Sequence, residues 1–157
     1  MDKKTADSSH PATQIRAMKE TDLPEVQRIE CLSFPSPWPC RLFEIEMQKI
    51  GFSYYLVIEH EDGLVGYAGY WRIGIEGHIV TVAIDPVHRK RGLGRKLLSS
   101  LIDHCRSLNL QRITLEVRQN NCIAQRLYEQ LGFHKVAIQQ CYYEDTKEDA
   151  LVYWKLL

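Results

Sequence analysis

The clearest chemical signal in the sequence lies at residues 80–96, Val-Thr-Val-Ala-Ile-Asp-Pro-Val-His-Arg-Lys-Arg-Gly-Leu-Gly-Arg-Lys. A β-like apolar run leads into a turn bearing Gly92 and Gly94, and the turn opens a helix-like stretch. Arg89, Lys90, Arg91, Arg95 and Lys96 place five cations close together. The chain has 20 basic and 20 acidic residues, so with those five set aside the remainder is net −5. The first turn of a helix presents N–H groups without intrahelical partners and the positive end of the helix dipole. Glycines let such a backbone come close to an anion, so a phosphate-bearing ligand is the natural partner of this turn. The nucleotide pattern G-x-x-x-x-G-K-[ST] is absent, and the dinucleotide pattern G-x-G-x-x-G/A fails at Leu97. The spacing present is Arg89-x-x-Gly92-x-Gly94.

The elements around this turn follow from hydrophobic period and punctuation. Residues 14–18 read as a short strand, with Thr21 or Asp22 as a helix cap and Pro24 in the first turn. Leu23, Val26, Ile29 and Leu32 recur at helical spacing. Three prolines in residues 34–39 exclude regular structure there, and a short helix over 41–50 follows. Residues 54–60 and 64–72 read as a hairpin turning at 61–63, and residues 77–84 as a further strand ending at Asp85-Pro86. Leu93, Leu97, Leu98, Leu101, Ile102, Cys105 and Leu108 mark one stripe of a long amphipathic helix opening near Gly92. Ile113, Leu115 and Val117 alternate with Thr114, Glu116 and Arg118 as in a strand. Asn121 caps a helix bearing Ala124, Leu127, Tyr128 and Leu131, and Gly132 sits where a left-handed C-terminal residue belongs. Strands over 133–143 and 150–156 complete the order β-α-α-β-β-β-α-β-α-β-β, an α/β (α+β) domain over residues 14–157 with a mixed sheet and helices on its faces. Residues 1–13 read as a disordered leader.

The Arg89-x-x-Gly92-x-Gly94 spacing resembles the acyl-CoA pyrophosphate loop of the GCN5-related N-acetyltransferases (GNAT). The later stretches Leu115-Glu116-Val117-Arg118-Gln119-Asn120-Asn121 and Ala124-x-x-Leu127-Tyr128-Glu129-Gln130-Leu131-Gly132-Phe133 are similar to a second motif of that superfamily. Phe34-Pro35-x-Pro37-Trp38 and Tyr142-Tyr143 look like its ribosomal-protein-alanine N-acetyltransferase branch. The resemblance implies a sheet of about seven strands with about four helices, acetyl-CoA as co-substrate, and transfer of its acetyl group to a protein N-terminal amine. By it, Glu116 is the general base and Tyr128 the general acid that protonates the departing sulfur. Main-chain groups of Val82, Ala83 and Ile84 would pair with the pantetheine arm. The amides of Lys90, Arg91, Gly92, Leu93, Gly94 and Arg95 would hold the pyrophosphate, helped by the Arg89 or Arg95 side chain. Asn121 would touch the pantetheine or serve only as a cap. Phe34, Trp38, Tyr142 and Tyr143 would line the groove for the acceptor peptide.

Each role has a plainer counterpart: Glu116 as a surface carboxylate paired with Arg112 or Arg118, and Tyr128 as a core aromatic. Two other functions stay open, acetylation of a small amine such as a polyamine or aminoglycoside, and a non-catalytic module, either an acyl-CoA sensor or a binder using Arg89 to Lys96 against nucleic acid. A degenerate sensor should have lost its acid or base, and this chain has both. Five cysteines form no C-x-x-C pair, and Cys122 reads as a buried structural thiol rather than a nucleophile. The six histidines lack metal-ligand spacing, so no metal is expected. Equal numbers of basic and acidic residues disfavour a nucleic-acid partner. No apolar run approaches the roughly 18 residues of a membrane span, and residues 1–13 lack a signal peptide's apolar core. The expected location is the cytoplasm.

Overall fold

Ile113, Leu115 and Val117 are buried while Arg112, Thr114, Glu116 and Arg118 are half-buried, the alternation of a strand packed on one face. The computed structural model describes residues 12–61 and 63–157. Its main elements are β1 (Thr13–Ala17), α1 (Leu23–Ser33), α2 (Cys40–Gln48), β2 (Ser53–His60), β3 (Gly63–Ile73), β4 (Glu76–Ile84), α3 (Leu93–Ser107), β5 (Arg112–Arg118), α4 (Cys122–Gln130), β6 (His134–Gln139) and β7 (Ala150–Leu156). The order matches the one read from hydrophobic period. One seven-stranded sheet runs β1-β2-β3-β4-β5-β7-β6, antiparallel except between β4 and β5.

Two apolar cores lie on opposite faces of this sheet. On one, Leu93, Leu97, Leu98, Leu101 and Cys105 of α3 pack over Tyr70, Ile79, Ile113 and Leu115. On the other, Val26 and Ile29 of α1 and Phe43 of α2 pack over Tyr55, Val57, Tyr67 and Ala83. Gly69 is required here, because a Cβ would stand 2.2 Å from the Tyr55 ring. Buried carboxylates brace the second core. Glu46 accepts from Ser53, Tyr55 and Trp71, and Glu30 accepts from the Trp38 N–H and the Tyr67 hydroxyl. Burial raises the pKa of Glu30, against those two hydrogen bonds.

Three sequence readings change. Thr13 belongs to β1 rather than the leader: it pairs with His60, and its hydroxyl lies 3.1 Å from His60 Nδ1. Residues 1–11 of that leader, and Asp62 of the 61–63 turn, lie outside the described residues. The sixth strand stops at Gln139 instead of Tyr143. Cys141 adopts a left-handed φ of 49°, its N–H donates to Asp149 Oδ1, and Tyr143 N–H donates to the Glu148 carbonyl. The aromatic pair therefore sits in a loop, where local turns override the strand tendency of the residues. Cys122 is exposed, because it occupies the first, solvent-facing position of α4; the buried thiol is Cys105, pushed up to about 11 by burial.

Candidate active site

The parallel pair β4–β5 is short. Only Glu76, Gly77 and His78 pair with Arg112, Ile113 and Thr114. Beyond them residues 79–84 and 115–118 diverge, each strand held on its outer side, by β3 and by β7. A bulge accompanies the divergence: Tyr70 faces Ile79 and Gly69 faces Thr81, leaving Val80 as the extra residue. Asp85 donates its N–H to the Val65 carbonyl, toward β3. Strand backbone groups alternate sides, so Ala83 also faces β3, whereas Val82 and Ile84 turn theirs into the gap. The Ala83 main chain thus pairs with β3 rather than opening to the cleft, its side chain packs in the second core, and the Ile84 carbonyl already accepts from Arg89 Nε at 2.9 Å.

The basic turn stands at the end of this gap. Lys90 and Gly92 take left-handed φ of 63° and 75°, and Gly92 caps α3 without a side chain. The first intrahelical bond runs from Lys96 N to Gly92 O. Among the described residues, the N–H groups of Leu93, Gly94 and Arg95 have no partner, an arrangement of open amides of the kind that can take an anion. A Cβ on Gly94 would lie 3.6 Å from both Ile84 and Leu127, beginning to fill the space between β4 and α4. These residues fit a pyrophosphate with an extended arm. Arg89 also reaches Ser33 of α1, and Arg95 reaches Gln130 of α4. Asn121 accepts from the Ala124 N–H, the bond of a helix cap.

Across the gap, Glu116 bonds neither arginine. Arg112 pairs with Glu76 and stacks on Trp154, and Arg118 pairs with Asp145 and stacks 3.9 Å over Tyr143. Glu116 Oε2 instead lies 2.6 Å from His78 Nε2. Sequence spacing could not find His78, since the contact needs the β4–β5 register. Tyr128 is buried between Phe133 and Tyr153. Burial, with the Tyr143 hydroxyl nearby, pushes its pKa up to about 12. Tyr143 is likewise pushed up to about 12, by burial and the proximity of Tyr142 and Glu116, against the pull of Arg118. Tyr143 thus stands within electrostatic reach of both Tyr128 and Glu116, and its ring meets that of Tyr142 edge-on at 5.0 Å.

The loop carrying Tyr142 and Tyr143 is pinned by Arg118, which holds the exposed Asp145 carboxyl down to about 2. Asp145 also accepts from Ser36, joining this loop to residues 34–39. Phe34 and Trp38 are half-buried and pack on the second core, Trp38 against Phe43 at 5.4 Å, whereas Tyr142 is exposed. No group of three or more metal-ligating side chains occurs among the described residues, and no helix there is long and apolar enough to cross a membrane.

A diverging parallel strand pair with an open, glycine-capped helix N-terminus at its mouth defines the class, and the description "Acetyltransferase (GNAT) family" matches residues 23–133. The chain belongs to the GNAT family and is an N-acetyltransferase. A Bacillus subtilis protein provisionally named a ribosomal protein bS18-alanine N-acetyltransferase is 38% identical over 89% of this chain and 93% of its own. The Escherichia coli ribosomal protein bS18-alanine N-acetyltransferase is 31% identical over 88% of this chain and 93% of its own. The crystal structure of the ribosomal-protein-S18-alanine N-acetyltransferase from Escherichia coli superposes with a TM-score of 0.85 at 29% identity, covering 92% of this chain and 94% of that one.

Proposed function

We propose that this protein transfers the acetyl group of acetyl-CoA to the α-amino group of a ribosomal protein beginning with alanine, in the cytoplasm. What supports this best is the similarity to relatives with that named activity along almost their whole length. The acceptor end of the site is consistent with it: the loop carrying Tyr142 and Tyr143 is bridged to residues 34–39 by the Ser36–Asp145 hydrogen bond. Acetyl-CoA, when bound, supplies an activated thioester. Val82 and Ile84 hold its pantetheine through their main chains, while the amides of residues 90–95 and the Arg89 side chain neutralise its phosphates. Asn121 closes that cleft from the α4 side.

Glu116 then accepts the proton that the incoming ammonium must lose, directly or through one water, so that a lone pair is free to attack. Tyr128 donates a hydrogen bond to the sulfur that leaves. A hydroxyl near 12 is a weaker acid than a free thiol of about 8.5, so Tyr128 stabilises the thiolate by donating a hydrogen bond rather than giving up its own proton as the resemblance implies. As the C–N bond forms and the C–S bond breaks, the second proton shed by the acylated nitrogen passes to the thiolate.

The decisive assay offers acetyl-CoA and peptides with different first residues, beside free polyamines. Acetylation at the α-amine of an alanine-first peptide, located by mass spectrometry, is the expected result. Polyamine turnover equal to or faster than peptide turnover overturns the reading. In the same assay Tyr143→Ala is expected to raise the peptide KM far more than the acetyl-CoA KM; equal effects would make the tyrosine structural. Gly94→Glu places bulk and a negative charge between β4 and α4, and acetyl-CoA affinity is expected to fall at least tenfold, about 1.4 kcal/mol. Calorimetry showing unchanged affinity with an intact fold would remove the phosphate role from this turn.

A further inference from the structure

We infer that His78 is a positioning residue for acetyl transfer, donating from Nε2 to Glu116 Oε2 and leaving Oε1 to face the amine. The inference rests on the reading of Glu116 as the base. His78 and Thr114 are the last paired residues before β4 and β5 part. Directly paired residues share a sheet face, and so do residues two apart along a strand, which places His78 and Glu116 on one face at the root of the gap. Their 2.6 Å separation is a short, charge-assisted contact. No hydrogen bond to Glu116 Oε1 occurs among the described residues. Both neighbouring arginines are engaged elsewhere, so His78 is the group that fixes how the carboxylate is turned.

The imidazole is itself braced. Its ring stands perpendicular to Trp71 at 6.1 Å, and Trp71 Nε1 donates to Glu46 Oε2 at 2.6 Å. A line of contacts thus runs from α2 through Glu46, Trp71 and His78 to Glu116, which limits the freedom of the base before any acceptor arrives. The His78–Glu116 pair stands at the margin of the cores, with side chains 25% and 19% exposed. Kinetic readouts separate an orienting role of this contact from a purely structural one. Positioned groups matter because small displacements of a reacting group are costly in rate.

The test is a double-mutant cycle on the full chain, read as kcat and KM for both substrates. His78→Ala is expected to lower kcat about tenfold with the acetyl-CoA KM within twofold of wild type. His78→Gln, whose amide can also donate to Glu116, is expected to recover most of the rate. In a Glu116→Gln background, His78→Ala is expected to cost less than twofold further, since its effect passes through the carboxylate. Full additivity of the two substitutions overturns the inference. So does a wild-type kcat for His78→Ala when Glu116→Gln alone is impaired. A wild-type rate for Glu116→Gln would instead remove the base assignment and this inference with it. Thermal denaturation of each variant separates rate loss from unfolding, and the Gln variant keeps the test alive if the Ala variant is unstable.

Discussion

Glu116→Gln is expected to lower kcat/KM by about 10²–10⁴ at neutral pH, with the sheet intact. The amide keeps the shape of the side chain and removes its capacity to take a proton. At neutral pH an acceptor amine is largely an ammonium, and without the base only the free-amine fraction reacts. Raising the pH enlarges that fraction, so the variant should regain part of its rate as pH rises, while the wild type changes less. Steady-state kinetics between about pH 6 and 9.5 measure this. A variant with near wild-type rates, or one whose deficit is the same at every pH, means that Glu116 does not handle the proton.

Tyr128→Phe is expected to reduce kcat about 10²-fold while acetyl-CoA binding holds, because the substitution removes one hydroxyl from a buried ring and leaves its packing on Phe133 and Tyr153. The missing donor matters when negative charge gathers on the sulfur. An acetyl donor built on a more acidic thiol needs that donor less, and should partly rescue Tyr128→Phe but not Glu116→Gln. The sign of the pKa shift adds a second check. Burial raises Tyr128 to about 12, so the donating, protonated form persists through alkaline pH and is lost only as pH climbs toward that value. An alkaline fall in wild-type kcat near pH 9 that vanishes in Tyr128→Phe would contradict this environment. Identical responses of the two variants to pH and to leaving group would leave the family standing and the division of labour between acid and base wrong.

Much of the architecture was legible along the chain. Periodicity placed α3 and β5 closely, and Gly132 has the left-handed φ of 89° read for it. Boundaries failed where side chains beyond the segment decided them. Tyr142 and Tyr143 look like strand residues, yet Arg118 stacks on one and anchors Asp145 beyond them. Thr13 looks like part of a polar leader, yet β2 offers it an edge.

The sequence by itself determined the chemistry of the basic turn. Gly92 takes its left-handed φ and caps α3 within one short segment, and the open amides of a helix start need only local geometry. It also determined the order of strands and helices, because a period of 2 or 3.6 is set by neighbours within a turn or two. The tertiary structure alone decided the partner of Glu116. An arginine two residues away in the same strand was the local candidate, but the β4–β5 register supplied His78 from a different strand. It decided likewise that Ala83 turns its backbone to β3 while Val82 and Ile84 face the cleft, and that the hydroxyl of Tyr128 is buried deeply enough to keep its proton. These outcomes depend on strand register and burial, which join residues far apart in the chain and leave no mark on their spacing.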